Sequence, residues 1–172
     1  MGEVNYVIGI EIFRNSLRGF LGLSQKAYIE IILERFNMDK CSIQVAPIQK
    51  GDKFSLMQCP QNDLELKQMK GIPYAYAGRS LMYAQTCTRP DISFVVGMLG
   101  RCQSHPVMDH WKATKKVMRY LQGMKDYILK FRRSDSLKVT GYLDLDFARC
   151  ADSRKLIFGY FFMFDEGLHS HI

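Results

Sequence analysis

The sequence predicts an α/β fold of the α+β kind, with an N-terminal β-hairpin, a helical middle and a C-terminal antiparallel sheet begun but not finished. Three observations lead there. Two β-branched and aromatic runs flank a polar turn within the first 23 residues, apolar residues recur at three- and four-residue steps through the middle, and strand-like runs return after Gly123. The 172 residues, 47% of them hydrophobic, supply a core for one or two small domains.

Tyr6 to Ile12 reads as one strand, ending at the polar stretch Arg14-Asn15-Ser16. Gly19 to Leu23 reads as its hairpin partner. Ser24 is a suitable N-cap for a helix starting at Gln25, whose Tyr28, Ile29, Ile32, Leu33 and Phe36 share one face. From Asp39 to about Asp63 no period is sustained, and Pro47, Gly51 and Pro60 mark a connecting segment. Helical character resumes at Leu64, is interrupted near Gly71 and Pro73, and continues from Tyr74 to Cys87. Arg89-Pro90-Asp91 marks the start of another helix, since proline fits a first turn and an acid complements a helix N-terminus. Its buried face comprises Ile92, Val95, Val96 and Leu99.

A further helix is expected from about Asp109 to Gln122, stopped at Gly123 in a left-handed conformation. Trp111, Thr114, Met118 and Leu121 form its inward stripe. Lys112, Lys115, Lys116 and Arg119 repeat along another side and are the candidate nucleic-acid-binding residues. Tyr127 to Arg132, Leu137 to Leu145 and Phe158 to Phe164 read together as the strands of a β-rich C-terminal third.

A formal net charge of +7 makes a polyanion the first partner to consider. Five scattered cysteines, without a C-x-x-C pair and odd in number, argue against a disulfide framework and a zinc ribbon and for a reducing compartment. Cys102, His105 and His110 lack the spacing and the fourth ligand of a metal site. No apolar run reaches the roughly 20 residues that span a bilayer, and no basic-then-apolar leader opens the chain, so a soluble intracellular protein with no membrane partner is expected.

Four groups of segments, in order, carry a resemblance. They are Tyr6-Val7-Ile8-Gly9-Ile10-Glu11-Ile12 with Gly22-Leu23-Ser24-Gln25-Lys26; Ser80-Leu81-Met82-Tyr83-Ala84 through Thr88-Arg89-Pro90-Asp91-Ile92-Ser93; His110-Trp111-Lys112-Ala113 with Arg119-Tyr120-Leu121-Gln122-Gly123; and Gly141-Tyr142, Asp144, Asp146-Phe147-Ala148 with Asp152-Ser153-Arg154-Lys155. Together they resemble the Pol polyprotein of copia-type LTR retrotransposons, over nearly the whole chain.

That resemblance implies a division into the end of a reverse-transcriptase palm, with a primer-grip-like hairpin and first thumb helix (1–38), a connecting segment (39–63), a helical thumb and connection region (64–125) and a truncated RNase H-like start (126–172). The family is an RNA-directed DNA polymerase with ribonuclease H. By the resemblance, the polymerase aspartates of a Tyr-Val-Asp-Asp-type motif lie upstream of Met1. Asp144 and Asp146, two apart on a strand and so on one face, match the family's nuclease strand. Two-metal cleavage needs further carboxylates, which makes this pair vestigial, with no cofactor expected in the fragment and magnesium in the intact family.

Departures from the family pattern stand at Leu143, Leu145, Arg149 and Leu156-Ile157, as in an unselected copy. At Gly78-Arg79 an arginine replaces a glycine, which is expected to disturb helix packing. The expected function is a non-catalytic remnant of a copia-type Pol. The alternative is a domesticated basic module that binds RNA or DNA backbone weakly and without sequence preference.

Overall fold

The computed structural model describes residues 5–48, 63–132, 139–146 and 157–164. Along the chain come β1 (Tyr6–Val7), β2 (Ile10–Asn15), β3 (Phe20–Ser24), α1 (Lys26–Arg35), α2 (Asp63–Met69) and α3 (Tyr74–Cys87). A short 3-10 turn (Pro90–Ile92), α4 (Ser93–Arg101), α5 (Met108–Gly123), β4 (Leu129–Arg132), β5 (Val139–Asp146) and β6 (Ile157–Phe164) follow. The fold is mixed α and β, with an open four-stranded antiparallel sheet ordered β1-β2-β3-β4 and a two-stranded antiparallel sheet of β5 and β6.

The expected single strand from Tyr6 to Ile12 is two strands. The chain reverses at Ile8 and Gly9, both at positive φ (49° and 75°), and Val7 faces Ile10 across the turn. A two-residue hairpin with both central residues in the left-handed region matches the twist of its strands. Glycine permits this freely, whereas a β-branched isoleucine is strained there. The next turn, into β3, uses Asn15, whose Oδ1 accepts the Arg18 N–H at 2.9 Å.

By pattern, Tyr127 to Arg132 groups with the strands that follow it. Its Leu129–Arg132 portion instead closes the N-terminal sheet, with Leu129 opposite Leu23 and Arg132 opposite Phe20. β3 is thus a central strand, and Gly22 sits where a Cβ would lie 3.0 Å from the Ile128 Cγ2 methyl. Pairing β4 against β3 needs that close approach.

The core is helical. Ile29, Ile32 and Leu33 of α1 meet Ala77 and Leu81 of α3, Val95, Val96 and Leu99 of α4, and Val117, Met118 and Leu121 of α5, all nearly fully buried. Each large aliphatic side chain removed from water contributes about 1.5–3 kcal/mol before conformational entropy is set against it. The stripe expected on α5 is therefore present, although Trp111 is only partly buried and Ala113 and Val117 join it.

Ser24 lies one residue outside the helix cap. Its Oγ accepts the Lys26 N–H at 3.2 Å, while Gln25 takes the capping position. Gly123 is the last residue of α5 and is not left-handed; a Cβ there would meet the Ile43 Cγ2 methyl. The glycine admits Ile43 against the helix end instead of turning the chain. At Gly78-Arg79 the expected disturbance is absent: Arg79 is exposed, a Cβ at Gly78 would touch nothing, and α3 packs through Ala77, Ser80, Leu81 and Ala84.

Candidate functional site

The segment Thr88-Arg89-Pro90-Asp91 forms a densely bonded polar junction in the helical body. Pro90 cannot extend α3 and disfavours helical geometry in the residue before it. Arg89 accordingly leaves the helix at φ −123°, ψ 62°. This turn carries its side chain inward, where it is only 4% exposed.

Three of its N–H groups are engaged there. Nε donates to Asp91 Oδ1 at 3.0 Å, Nη2 to Asp91 Oδ2 at 2.6 Å, and Nη1 to the Met124 carbonyl at 2.9 Å. Tyr120 closes the other side: its hydroxyl donates to Asp91 Oδ2 at 2.7 Å, and its ring centroid lies 5.4 Å from the guanidinium carbon. The bidentate fork is the geometry that an arginine can make and a lysine cannot. Beside it, Thr88 donates its hydroxyl proton to Gln25 Oε1 at 2.7 Å, which links the end of α3 to the β3–α1 junction.

A cleft of about 170 Å³ opens here, lined by Thr88, Arg89, Tyr120, Tyr127, Ile128 and Leu129. Asp91 and Tyr120 are held away from acid–base duty. Burial would raise the Asp91 carboxyl, but the hydrogen bonds and charge of Arg89 outweigh it and hold the group below the usual carboxylate range. Burial, reinforced by the Asp91 carboxylate, pushes the Tyr120 phenol up to about 12. An ionised acid and a protonated phenol at neutral pH make a clamp, not a proton shuttle.

His110 is equally buried at the start of α5. Its Nδ1 accepts the Val107 N–H at 3.0 Å, the one half of a capping box that a valine at the cap permits. That acceptor role leaves the proton on Nε2, which is buried without a partner. Burial lowers its pKa, against a smaller opposing effect of Asp109. Among the described residues no three His, Cys, Asp or Glu side chains are grouped to hold a metal, and no helix is long and apolar enough to cross a membrane.

The expected basic face does lie on one helix, but much of its charge is engaged locally. Lys112 pairs with Asp109 at 2.9 Å, and the Lys115 ammonium sits 5.3 Å from the Trp111 ring centroid. Lys115, Lys116 and Arg119 are half-buried, and Arg119 Nε is enclosed without a hydrogen-bond partner. Asp144 and Asp146 occupy alternate positions of β5, opposite Gly159 and Ile157 of β6. Leu143 and Leu145 stand opposite Tyr160 and Phe158. Cys59, Arg149, Cys150 and Leu156 lie outside the described residues.

In the sequence Arg89-Pro90-Asp91 reads only as a helix start, and the clamp is not evident. The two-residue spacing of an arginine and an aspartate around a proline was the available local signal. Tyr120 and Met124, about 30 residues on, left none.

The chain is 40% identical over 167 residues, 97% of its length, to the retrovirus-related Pol polyprotein from transposon TNT 1-94 of Nicotiana tabacum, of which it spans 12%. Over 160 residues, 92% of the chain, it is 32% identical to the retrovirus-related Pol polyprotein from transposon RE2 of Arabidopsis thaliana, of which it spans 10%. It is also 41% identical over 99 residues, 58% of the chain, to the secreted RxLR effector protein 161 of Plasmopara viticola, of which it covers 70%. The chain thus spans about a tenth of the length of the polyproteins it matches. No family model and no solved structure matches it.

Proposed function

Because the chain belongs to the family of retrovirus-related Pol polyproteins from transposons, we propose that it corresponds to the copia-type segment that follows the reverse-transcriptase palm and runs into RNase H. In this reading the hairpin of β2 and β3 with α1 is the primer-grip-like edge and first thumb helix, and α2 to α5 are the thumb and connection. The RNase H-like start is the stretch 126–172 of the resemblance, and the pairing of β4 with β3 supports counting Leu129–Arg132 with the first sheet. The segment positions nucleic acid and carries out no chemistry itself. Asp144 and Asp146 are vestiges of a nuclease strand whose magnesium chemistry belongs to the intact family.

The observation that carries this reading is 40% identity over 97% of the chain. The Arg89 clamp supports it physically, since it spends its charges on joining helix ends. Weak, sequence-independent binding to a nucleic-acid backbone through Lys112, Lys115, Lys116 and Arg119 completes the proposal.

The test is primer extension on an RNA template and cleavage of an RNA–DNA hybrid, each with millimolar magnesium, on the chain and on the double variant Asp144→Asn, Asp146→Asn. Neither activity is expected. Magnesium-dependent cleavage lost in the double variant, or template-dependent incorporation above a boiled control, overturns the non-catalytic reading.

A further inference from the structure

The clamp does not use all of Arg89. A guanidinium carries an N–H on Nε and two on each terminal nitrogen; here Nε and one N–H each of Nη1 and Nη2 are engaged. Each terminal nitrogen therefore keeps one N–H with no acceptor among the described residues. Asp91 is more fully engaged, since Oδ1 accepts from Nε and Oδ2 accepts from both Nη2 and the Tyr120 hydroxyl. The polar end of the 170 Å³ cleft thus has hydrogen-bond donors to offer and no net charge, because guanidinium and carboxylate cancel.

The wall of the cleft is different in kind. Tyr127, Ile128 and Leu129 line it with apolar surface, and the chain is fastened on both sides of them. The Met124 carbonyl that accepts Arg89 Nη1 also accepts the Tyr127 N–H at 3.2 Å, and Leu129 is paired with Leu23 of β3. Wall and clamp are held together in advance of any ligand. Size narrows the choice further. Drug-sized molecules fill about 300–1,000 Å³, whereas an apolar cavity of about 150 Å³ takes a single benzene ring.

We propose that this cleft binds a small, neutral, planar ring that carries a carbonyl group, with the ring against Tyr127, Ile128 and Leu129 and the carbonyl oxygen accepting from Arg89. An anion entering here would lose its water beside the Asp91 carboxylate, and a cation beside the Arg89 guanidinium. Neither would find a counter-charge still unpaired, so both are disfavoured against a neutral acceptor. The site is separate from the nucleic-acid contacts of the preceding reading and does not depend on them.

NMR titration of the full chain with benzamide, benzoate and benzamidine, three probes of one shape that are neutral, anionic and cationic, tests it. Benzamide should bind with a Kd of about 1 mM, the range open to so small a ligand. Benzoate and benzamidine should each bind at least about tenfold more weakly. Toluene, which has the ring without the carbonyl, should also lose about tenfold. Nuclear Overhauser contacts should join the benzamide ring protons to the methyl groups of Ile128 and Leu129. Tyr127→Ala removes part of the wall, leaves the clamp bonds in place and should weaken benzamide about tenfold. No benzamide binding at about 20 mM overturns the proposal. So do equal affinities for the four probes, ring contacts confined to residues outside the cleft, or parental affinity in Tyr127→Ala.

Discussion

The guanidinium of Arg89 donates through Nη1 to the carbonyl of Met124 at 2.9 Å, so the turn after α3 is fastened to the residue that caps α5. The bond satisfies a carbonyl at a helix end, where no intrahelical donor is available. Because Arg89 is also paired with Asp91, one side chain organises the entry to α4, the exit of α5 and the approach to β4.

Arg89→Lys should therefore destabilise the chain by about 2 kcal/mol, because an ammonium cannot reproduce the fork and the carbonyl bond together. Urea unfolding followed by circular dichroism measures this. A midpoint unchanged from the parent's would show that the clamp is energetically idle.

Acid should weaken the fold in two stages. His110 has a folded pKa below its ordinary value, so its stabilising contribution is present above about pH 6.5 and is lost as pH falls from there through the folded value. Asp91 is also depressed, so its contribution is present above about pH 3.9 and is lost below that as the carboxylate protonates. Melting temperatures from pH 8 to pH 3 should fall first below pH 6.5 and again below pH 4. His110→Asn, which does not titrate, should flatten the first stage; parallel curves for parent and variant between pH 7 and pH 5 would count against the buried imidazole as its origin.

Two glycines should answer alanine with opposite signs. Gly123→Ala gains helix propensity of at most about 1 kcal/mol, less at a last residue, and the methyl it meets belongs to Ile43, a 68% exposed side chain that rotates or shifts to clear it. Gly22→Ala places its methyl between β-branched Ile128 and Phe13 within a paired strand, at a cost of about 1–3 kcal/mol. Thermal melts of the two variants, run side by side, check the contrast.

At the first turn, Ile8→Asn should raise stability by about 0.5–1 kcal/mol, since asparagine tolerates a φ of 49° and isoleucine does not. Gly9→Ala should lower it. Chemical denaturation suffices, and an Ile8→Asn protein no more stable than its parent would mean that the Tyr83 hydroxyl's bond to the Ile8 carbonyl does not survive the change.

What the amino-acid order revealed depended on how local the cause was. α5 was legible because Thr114, Met118 and Leu121 repeat at the helical period and pack as that period requires. α3 and α4 were legible for the same reason, with Pro73 and Pro90 marking their starts. The break at Ile8 and Gly9 was not, because the run around it is β-branched on both sides and one glycine is a weak signal. Pairing of β3 with β4 left no local trace, since register is fixed by which faces bury and not by neighbours in the chain. The polar features divide in the same way: Lys112 to Arg119 could be read from one helix, whereas the bonds of Asp91 to Tyr120 and of Arg89 to Met124 exist only once α5 has packed.

Closing β3 with a strand about a hundred residues further on also orders events during synthesis. At about 5–20 residues per second, a ribosome needs roughly 5 to 20 seconds between releasing β3 and releasing β4. For that interval the nascent chain presents β3 as an open edge able to recruit a neighbouring chain. A translation product that stopped short of Leu129 would carry the hazard permanently, so pause sites or premature stops before that codon should decide between a soluble product and an aggregating one.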